Sequence, residues 1–347
     1  MKGHDNGSVA DWAHWHLSPW GDSVVGTRLL SVMSIIGLAA VITPAVAEAA
    51  PAHICRWEAS ALALPAGVDR GWVTGSSANG SLVGVVSDHG GAHQVAVWRN
   101  GSPTLVGGLG VDTEAFDVND AGDLAGATYP EVGVSTPVIH HNGAWSVLSN
   151  GTRSLTGEAV GVDNSGQVVA TVLDGARVHV GVWNVDHPDQ VSYLDLPPGE
   201  DAAYTAIDEQ GDVVASTWSG RAFLFTGGHL AVELTAETPH DWLEVRGVHD
   251  GHIVGRSGSN AVEWDFTGAV VADLIEDGNA FAVNGADQVV GDSGAGHYVW
   301  HHGQVDGVLG APEGASSWSA ATITDAGVAA GSYTNGYPLP AQWSCQD

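Results

Sequence analysis

Residues 115–126 read AFDVNDAGDLAG: a short apolar run, the turn Asn119-Asp120-Ala121-Gly122, and a second run that ends in a small residue. The phrase returns as AVGVDNSGQVVA (159–170), TAIDEQGDVVA (205–215), VRGVHDGHIVG (245–255) and ATITDAGVAAG (321–331). Counting two less regular copies, the closing position of the turn falls at Gly80, Gly122, Gly166, Gly211, Gly251, Asp287 and Gly327, a period of 36 to 45 residues. Each copy continues into a strand that ends in a ring, at Trp98, His140, Trp183, Phe225, Trp264, Trp300 and Trp343. Glycine closes such a turn because it enters the left-handed conformation without steric cost. A period of this length built from strands alone specifies an all-β chain, a β-propeller rather than a helical solenoid.

The composition fits: 48 glycines and 14 prolines punctuate Val-rich runs, and charged residues make up 14% of the 347. The repeat is unbroken from its first copy to its last, which leaves no boundary for a second domain, so residues 51–347 are read as one propeller domain. Residues 1–50 differ. Arg28 precedes an uncharged stretch, Leu29 to Ile42, followed by Pro44 and the small-residue sites Ala45-Val46-Ala47 and Ala47-Glu48-Ala49. This is the pattern of a secretory signal peptide cleaved near residues 47 to 50. The charged leader ahead of it is long for such a signal, and a start between Val24 and Met33 would shorten it. An uncleaved anchor is the alternative, since about 18 apolar residues just span a bilayer.

The two cysteines extend the repeat. Cys55 opens the first strand and Cys345 lies two residues past Trp343. Elsewhere the aromatic strand turns directly into the outer one, as in VWRNGSPTLV (97–106) and VWHHGQVDGVL (299–309). Reading PAQWSC into CRWEASALAL reproduces that hairpin with a disulfide in place of the peptide link. The N-terminus then supplies only the outer strand of a blade whose three inner strands come from the C-terminus. Seven blades of four antiparallel strands result, in a ring with no exposed sheet edges.

A net charge of −30 at pH 7, with eight arginines and no lysine beyond residue 50, excludes a general basic surface for nucleic acid or anionic membrane. The chain is read as a monomer without a cofactor and, once the signal is removed, without a membrane association.

The segments Ala96-Val97-Trp98-Arg99-Asn100-Gly101, Arg221-Ala222-Phe223-Leu224-Phe225 and Val162-Asp163-Asn164-Ser165-Gly166-Gln167-Val168-Val169 carry a resemblance to the secreted HAF-repeat proteins. It spans essentially the whole of residues 51–347. The resemblance implies an extracellular, propeller-like repeat protein and brings no catalytic residues with it.

Several local motifs dissolve into the repeat. Gly291-Asp292-Ser293-Gly294 copies a serine-protease signature, but the same slot elsewhere reads SDHG, TYPE, VLDG and TWSG. Asp117 to Asp123 imitates the start of a calcium loop, yet Ala121 and Thr128 stand where ligands are needed. The pairs His140-His141 and His301-His302 lie at strand ends, where alternation turns neighbours to opposite faces, so no metal is assigned to them. The recurring aromatics are packing between blades.

Residues that break the repeat are more informative. Trp72, Trp242 and Trp318 stand at the entrance to innermost strands, and Trp218 lies in a loop joining second and third strands. Arg177, Arg221 and Arg256 lie in or beside the same class of loop, with Asp88, His89, His93, Asp174, Asp292 and His297. In a propeller both classes of loop open on one face around the channel. Tryptophan platforms with arginine and carboxylate anchors suit a glycan; irregular packing at a loop-rich rim is the competing explanation. Three functions remain open. One is a secreted binding propeller for polysaccharide or a protein partner, and the second is a polysaccharide hydrolase or lyase using two of Asp88, Asp174 and Asp292. The third is a structural scaffold without a small ligand.

Overall fold

The computed structural model describes residues 55–346, so the proposed signal peptide at 1–50 lies outside the described residues. Strand β1 (Arg56–Ala61) comes first. Six complete blades follow, each named from the inner strand outward. Blade one is β2 (Arg70–Ser76), β3 (Leu82–Ser87), β4 (Gln94–Arg99) and β5 (Ser102–Gly107). Blade two is β6 (Asp112–Val118), β7 (Leu124–Glu131), β8 (Val134–His141) and β9 (Ala144–Val147). Blade three is β10 (Thr156–Val162), β11 (Gln167–Asp174), β12 (Arg177–Asn184) and β13 (His187–Tyr193). Blade four is β14 (Ala202–Ile207), β15 (Val213–Thr217), β16 (Ala222–Thr226) and β17 (His229–Glu233). Blade five is β18 (Leu243–His249), β19 (His252–Ser257), β20 (Asn260–Asp265) and β21 (Val270–Ile275). Blade six is β22 (Gly278–Val283), β23 (Gln288–Ser293), β24 (Gly296–His301) and β25 (Gln304–Val308). The last three strands, β26 (Ser317–Ile323), β27 (Val328–Asn335) and β28 (Tyr337–Gln346), form a sheet in the order β1-β28-β27-β26.

The molecule is therefore a seven-bladed β-propeller whose two ends share blade seven, as the sequence specified. Strand β1 pairs antiparallel with β28 from Arg56↔Gln346 to Ala61↔Ala341. The disulfide joins Cys55, just ahead of this ladder, to Cys345 within it, with Cα atoms 5.6 Å apart. Trp57 anchors the strand from the side: it is buried, and its indole N–H donates to Asp306 Oδ2 of blade six at 3.2 Å.

Burial follows position in the blade. The second strand is the most enclosed, every residue of Leu82–Ser87 being buried, whereas no residue of the outer strand Ser102–Gly107 is buried and half are exposed. Val-rich second and third strands are thus sandwiched between neighbouring blades, which is why they read as near-continuous apolar runs. The seven turn residues from Gly80 to Gly327 all have positive φ, Asp287 included at 57°. The first residue of most of these turns accepts a backbone N–H four residues on, as in Asp123 N to Asn119 Oδ1 (2.9 Å) and Asp212 N to Asp208 Oδ1 (2.9 Å). Where that residue is asparagine its amide also reaches sideways: Asn119 Nδ2 donates to Asp163 O and Asn284 Nδ2 to Thr324 O, each in the next blade. The Asx of the repeat thus closes its own hairpin and, as asparagine in blades two and six, stitches that blade to the next.

The recurring tryptophans have the packing role expected of them. Trp98, Trp264, Trp300 and Trp343 are fully buried. The indoles of Trp98, Trp183, Trp264 and Trp343 donate to Ala63 O, Ser149 O, Thr235 O and Gly310 O, each in the connection that enters their own blade. Trp300 has no such partner. The connection into its blade is only residues 276–277, too short to bring a carbonyl across.

Candidate functional site

The face that carries the loops between second and third strands also carries the connections entering the inner strands. All seven residues singled out from the sequence lie there, in two separate sectors. Trp72 and Trp318 belong to blades one and seven. Both are half-buried against histidines: Trp72 meets His93 edge to face with centroids 5.3 Å apart, and Trp318 lies 5.7 Å from His297. The Trp318 indole also donates to Leu309 O. These two side chains are engaged in holding their loops.

The other five lie over blades three to five. Trp218 and Trp242 are the exposed tryptophans of the set, at 47% and 41%. Trp218 lies within one tight turn, residues 217–221, closed by Thr217 N donating to Arg221 O, and Trp242 packs against that turn. Gly220 in that turn lies directly under the Trp242 ring, so close that a Cβ there would sit 2.8 Å from it. The Trp218 backbone N–H donates to Asp201 O, which ties the turn to the connection entering blade four.

That connection supplies the acids around which two arginines converge. Arg177 Nε donates to Asp201 Oδ1 at 2.8 Å, and its Nη2 donates to Glu200 O. Arg221 donates through Nη1 to Glu200 Oε1 (2.9 Å) and through Nε and Nη2 to both oxygens of Glu233. Ser219 Oγ completes the Glu200 contacts at 2.6 Å. Burial works to raise the Glu200 carboxyl, but hydrogen bonds from Ser219, Thr217 and Arg221 outweigh it and hold the group below the usual carboxylate range. Arg221 likewise holds Glu233 down, and Arg177 does the same for Asp201. The result is an ionised rim of alternating charge beside two part-exposed tryptophans. Arg256 stands apart in blade five, pairing with Glu244, which also pairs with Arg246.

The three aspartates considered for acid–base chemistry belong to blades one, three and six. Asp174 is fully engaged: hydrogen bonds from Tyr193, Arg153 and Asn150 hold its carboxyl below the ordinary range, the opposite of what a general acid needs. Asp292 accepts from Asn279 at 2.9 Å.

The central channel itself encloses a cavity of about 160 Å³ lined by inner strands, with Thr74, Asp117 and Ile207 among its walls. None of the seven singled-out residues lines it. Asp117 Oδ2 accepts the Val162 N–H at 2.9 Å. Desolvation by the surrounding blades pushes its carboxyl up to about 7, against the pull of that hydrogen bond. The opposite face of the ring opens into a shallower concavity of about 410 Å³, where His249 bridges Glu209 (2.6 Å) and Asp325 (3.2 Å).

The histidine pairs behave differently from one another. His140 packs on Trp145 while His141 bonds Asp123 and Asp186. His301 and His302, in contrast, stack at 4.1 Å, because His302 has φ 49° and the turn breaks the strand alternation that would have separated them.

No family model matches the chain, and no curated protein matches it. Solved β-propellers align over most of its length. The WD40 propeller domain of Doa1 is 14% identical with a TM-score of 0.49, covering 82% of this chain and 97% of that one. A putative gluconolactonase gives 12% and 0.45, with coverage of 84% and 92%. A gluconolactonase from Xanthomonas campestris gives 17% and 0.43, with coverage of 80% and 87%.

Proposed function

We propose that this propeller is a secreted binding protein that recognises an extracellular or cell-envelope polysaccharide through the sector around Trp218 and Trp242. The observation that carries the reading is the pair of part-exposed tryptophans, one within and one packed against the 217–221 turn, beside the Arg177–Glu200–Arg221–Glu233 rim. Indole faces stack on the apolar faces of sugar rings, and a rim of immobilised donors and acceptors meets hydroxyls without further ordering cost. The ion pairs give the arginines a positioning role, in which their remaining N–H groups and the carboxylate lone pairs face the ligand. Trp72 and Trp318, turned onto histidines, serve the loop framework of the same face.

The apolar stretch at 29–42 with its small-residue sites, the disulfide and the resemblance to secreted HAF-repeat proteins all favour an extracellular setting. A glycan-array screen of the wild-type chain, followed by titration of any hit against Trp218→Ala and Trp242→Ala, tests the proposal. Each substitution is expected to weaken binding about fivefold or more, equivalent to about 1 kcal/mol, with the unfolding midpoint unchanged. A screen without hits, or two variants that bind as the wild type does, removes the carbohydrate reading and leaves a protein partner or a scaffold.

A further inference from the structure

We propose that the gap between blades five and six holds a divalent transition-metal ion of the zinc class, ligated by His252, Glu263 and Asp287. The site lies on the face opposite Trp218 and Trp242 and is independent of the glycan reading. His252 Nδ1 is 2.7 Å from Glu263 Oε1 and 3.5 Å from Asp287 Oδ1. One ligand atom from each of the three lies within 4.8 Å of the other two.

What sets this cluster apart from an ordinary polar network is where its members stand in the repeat. Glu263 immediately precedes the aromatic of its third strand. The same position in other blades is Val97, Ile139, Val182, Leu224 and Val299, with a neutral Gln342 in blade seven, and Val97, Ile139 and Val299 are buried in apolar clusters shared with the next blade. Glu263 is placed the same way, 2% exposed, but carries a carboxylate into that interface. Facing it across the gap is Asp287, the one turn residue of the seven that is not glycine, although its φ of 57° favours glycine. Two departures from the repeat, each unfavourable alone, meet at one point.

Asp287 supplies the independent sign of a missing partner. It is 9% exposed, its Oδ2 accepts from His302 Nδ1 at 2.6 Å, and its Oδ1, turned toward His252, is buried without a hydrogen bond. A buried carboxylate oxygen with no hydrogen bond and only a long contact to His252 at 3.5 Å is costly. Two carboxylates facing each other in a buried gap repel unless a proton or a cation lies between them. Burial, foremost, holds Glu263 above the usual carboxylate range. A divalent cation neutralises both acids, takes the His252 Nδ1 lone pair and releases whatever protons the apo cluster holds. One imidazole and two carboxylates suit a borderline ion such as Zn²⁺, whereas Ca²⁺ and Mg²⁺ favour all-oxygen shells. His302 fixes the Asp287 carboxylate through Oδ2, the orienting contact common to metal-ligating side chains.

The repeat itself provides the test variants: Glu263→Val and Asp287→Gly install residues that other blades already use at those positions, so the propeller is expected to fold in both. Metal-free wild-type chain titrated calorimetrically with ZnCl₂ should bind one ion per chain, with a rise in Tm that EDTA reverses. Both variants should lose that event, and their Tm should no longer respond to Zn²⁺. Binding should weaken as pH falls, since the ion competes with protons. Absence of a stoichiometric event in the wild type overturns the proposal and assigns the cluster to a shared proton. Undiminished binding in the variants overturns it in favour of surface histidines, and CaCl₂ binding as tight as ZnCl₂ overturns the metal class.

Discussion

Replacing Cys55 and Cys345 with serine removes a crosslink across 290 residues. In the chain-entropy model, closing a loop of that length destabilises the unfolded chain by about 5.7 kcal/mol at 25 °C, while native disulfides typically contribute about 2 to 5. The folded ring has little reason to change. Strand β1 keeps its six-position ladder with β28, Trp57 stays buried against blade six, and the Cys55 N–H still reaches Asp306 O at 2.8 Å. The loss should therefore appear as stability rather than altered structure. With a urea m-value of about 3 kcal/mol/M, a loss of 3 to 5 kcal/mol lowers the midpoint by about 1 to 1.7 M. Urea unfolding of the oxidised chain and the double-serine variant, followed by tryptophan fluorescence, makes the comparison. A midpoint within about 0.3 M of the oxidised protein would refute the reasoning and show that the β1 ladder alone sets the stability of the ring.

The pH profile should carry the mark of Asp117. Its folded pKa of about 7 lies above the unfolded carboxylate value, so the folded state holds the extra proton between about pH 4 and 7 and stability falls as pH rises through that window. Asp117→Asn, which keeps an acceptor for the Val162 N–H, should flatten that fall in Tm measured at a series of pH values; an unchanged slope would exonerate Asp117. His249 acts in the same direction. Burial lowers its pKa, but Glu209 and Asp325 outweigh this and raise it, so its contribution is present below about pH 6.5 and lost as pH climbs through the raised value. His249→Gln should remove that component of the profile. Gly331→Ala should cost about 2 kcal/mol or more, since its Cβ would lie 2.0 Å from Ser319 O. At Gly80 the same change meets open space and strains only a φ of 85°, so it should cost about 1 kcal/mol; chemical denaturation of the pair orders the two.

The blades, their count, the shared closing blade and the disulfide were all legible, because each is a property of spacing, and spacing survives in the sequence. The sites were less so. Glu200 and Glu233, which organise Arg177 and Arg221, lie outside the repeat phrase in a connection and an outer strand, where no periodicity marks them. The channel carboxylate Asp117 looked like part of a calcium loop; its real environment is created by other blades far away in the chain. The His252–Glu263–Asp287 cluster did leave a trace, as an acid in a valine slot and an aspartate in a glycine slot. What the sequence could not supply was that consecutive blades press those two slots together.

The shared blade also sets an order of events. Strand β1 is made before any other part of the propeller, yet its hydrogen-bonding partner β28 is the last strand to be made. Six blades can assemble from neighbouring hairpins as the chain lengthens, but the seventh must wait for the final residues, the slow, long-range kind of contact. Cys55 waits with it. Since Cys345 is the only other cysteine in the sequence, no wrong bridge can form within the chain during that interval. Oxidation thus becomes a terminal latch that can engage only once the whole circle has been laid down.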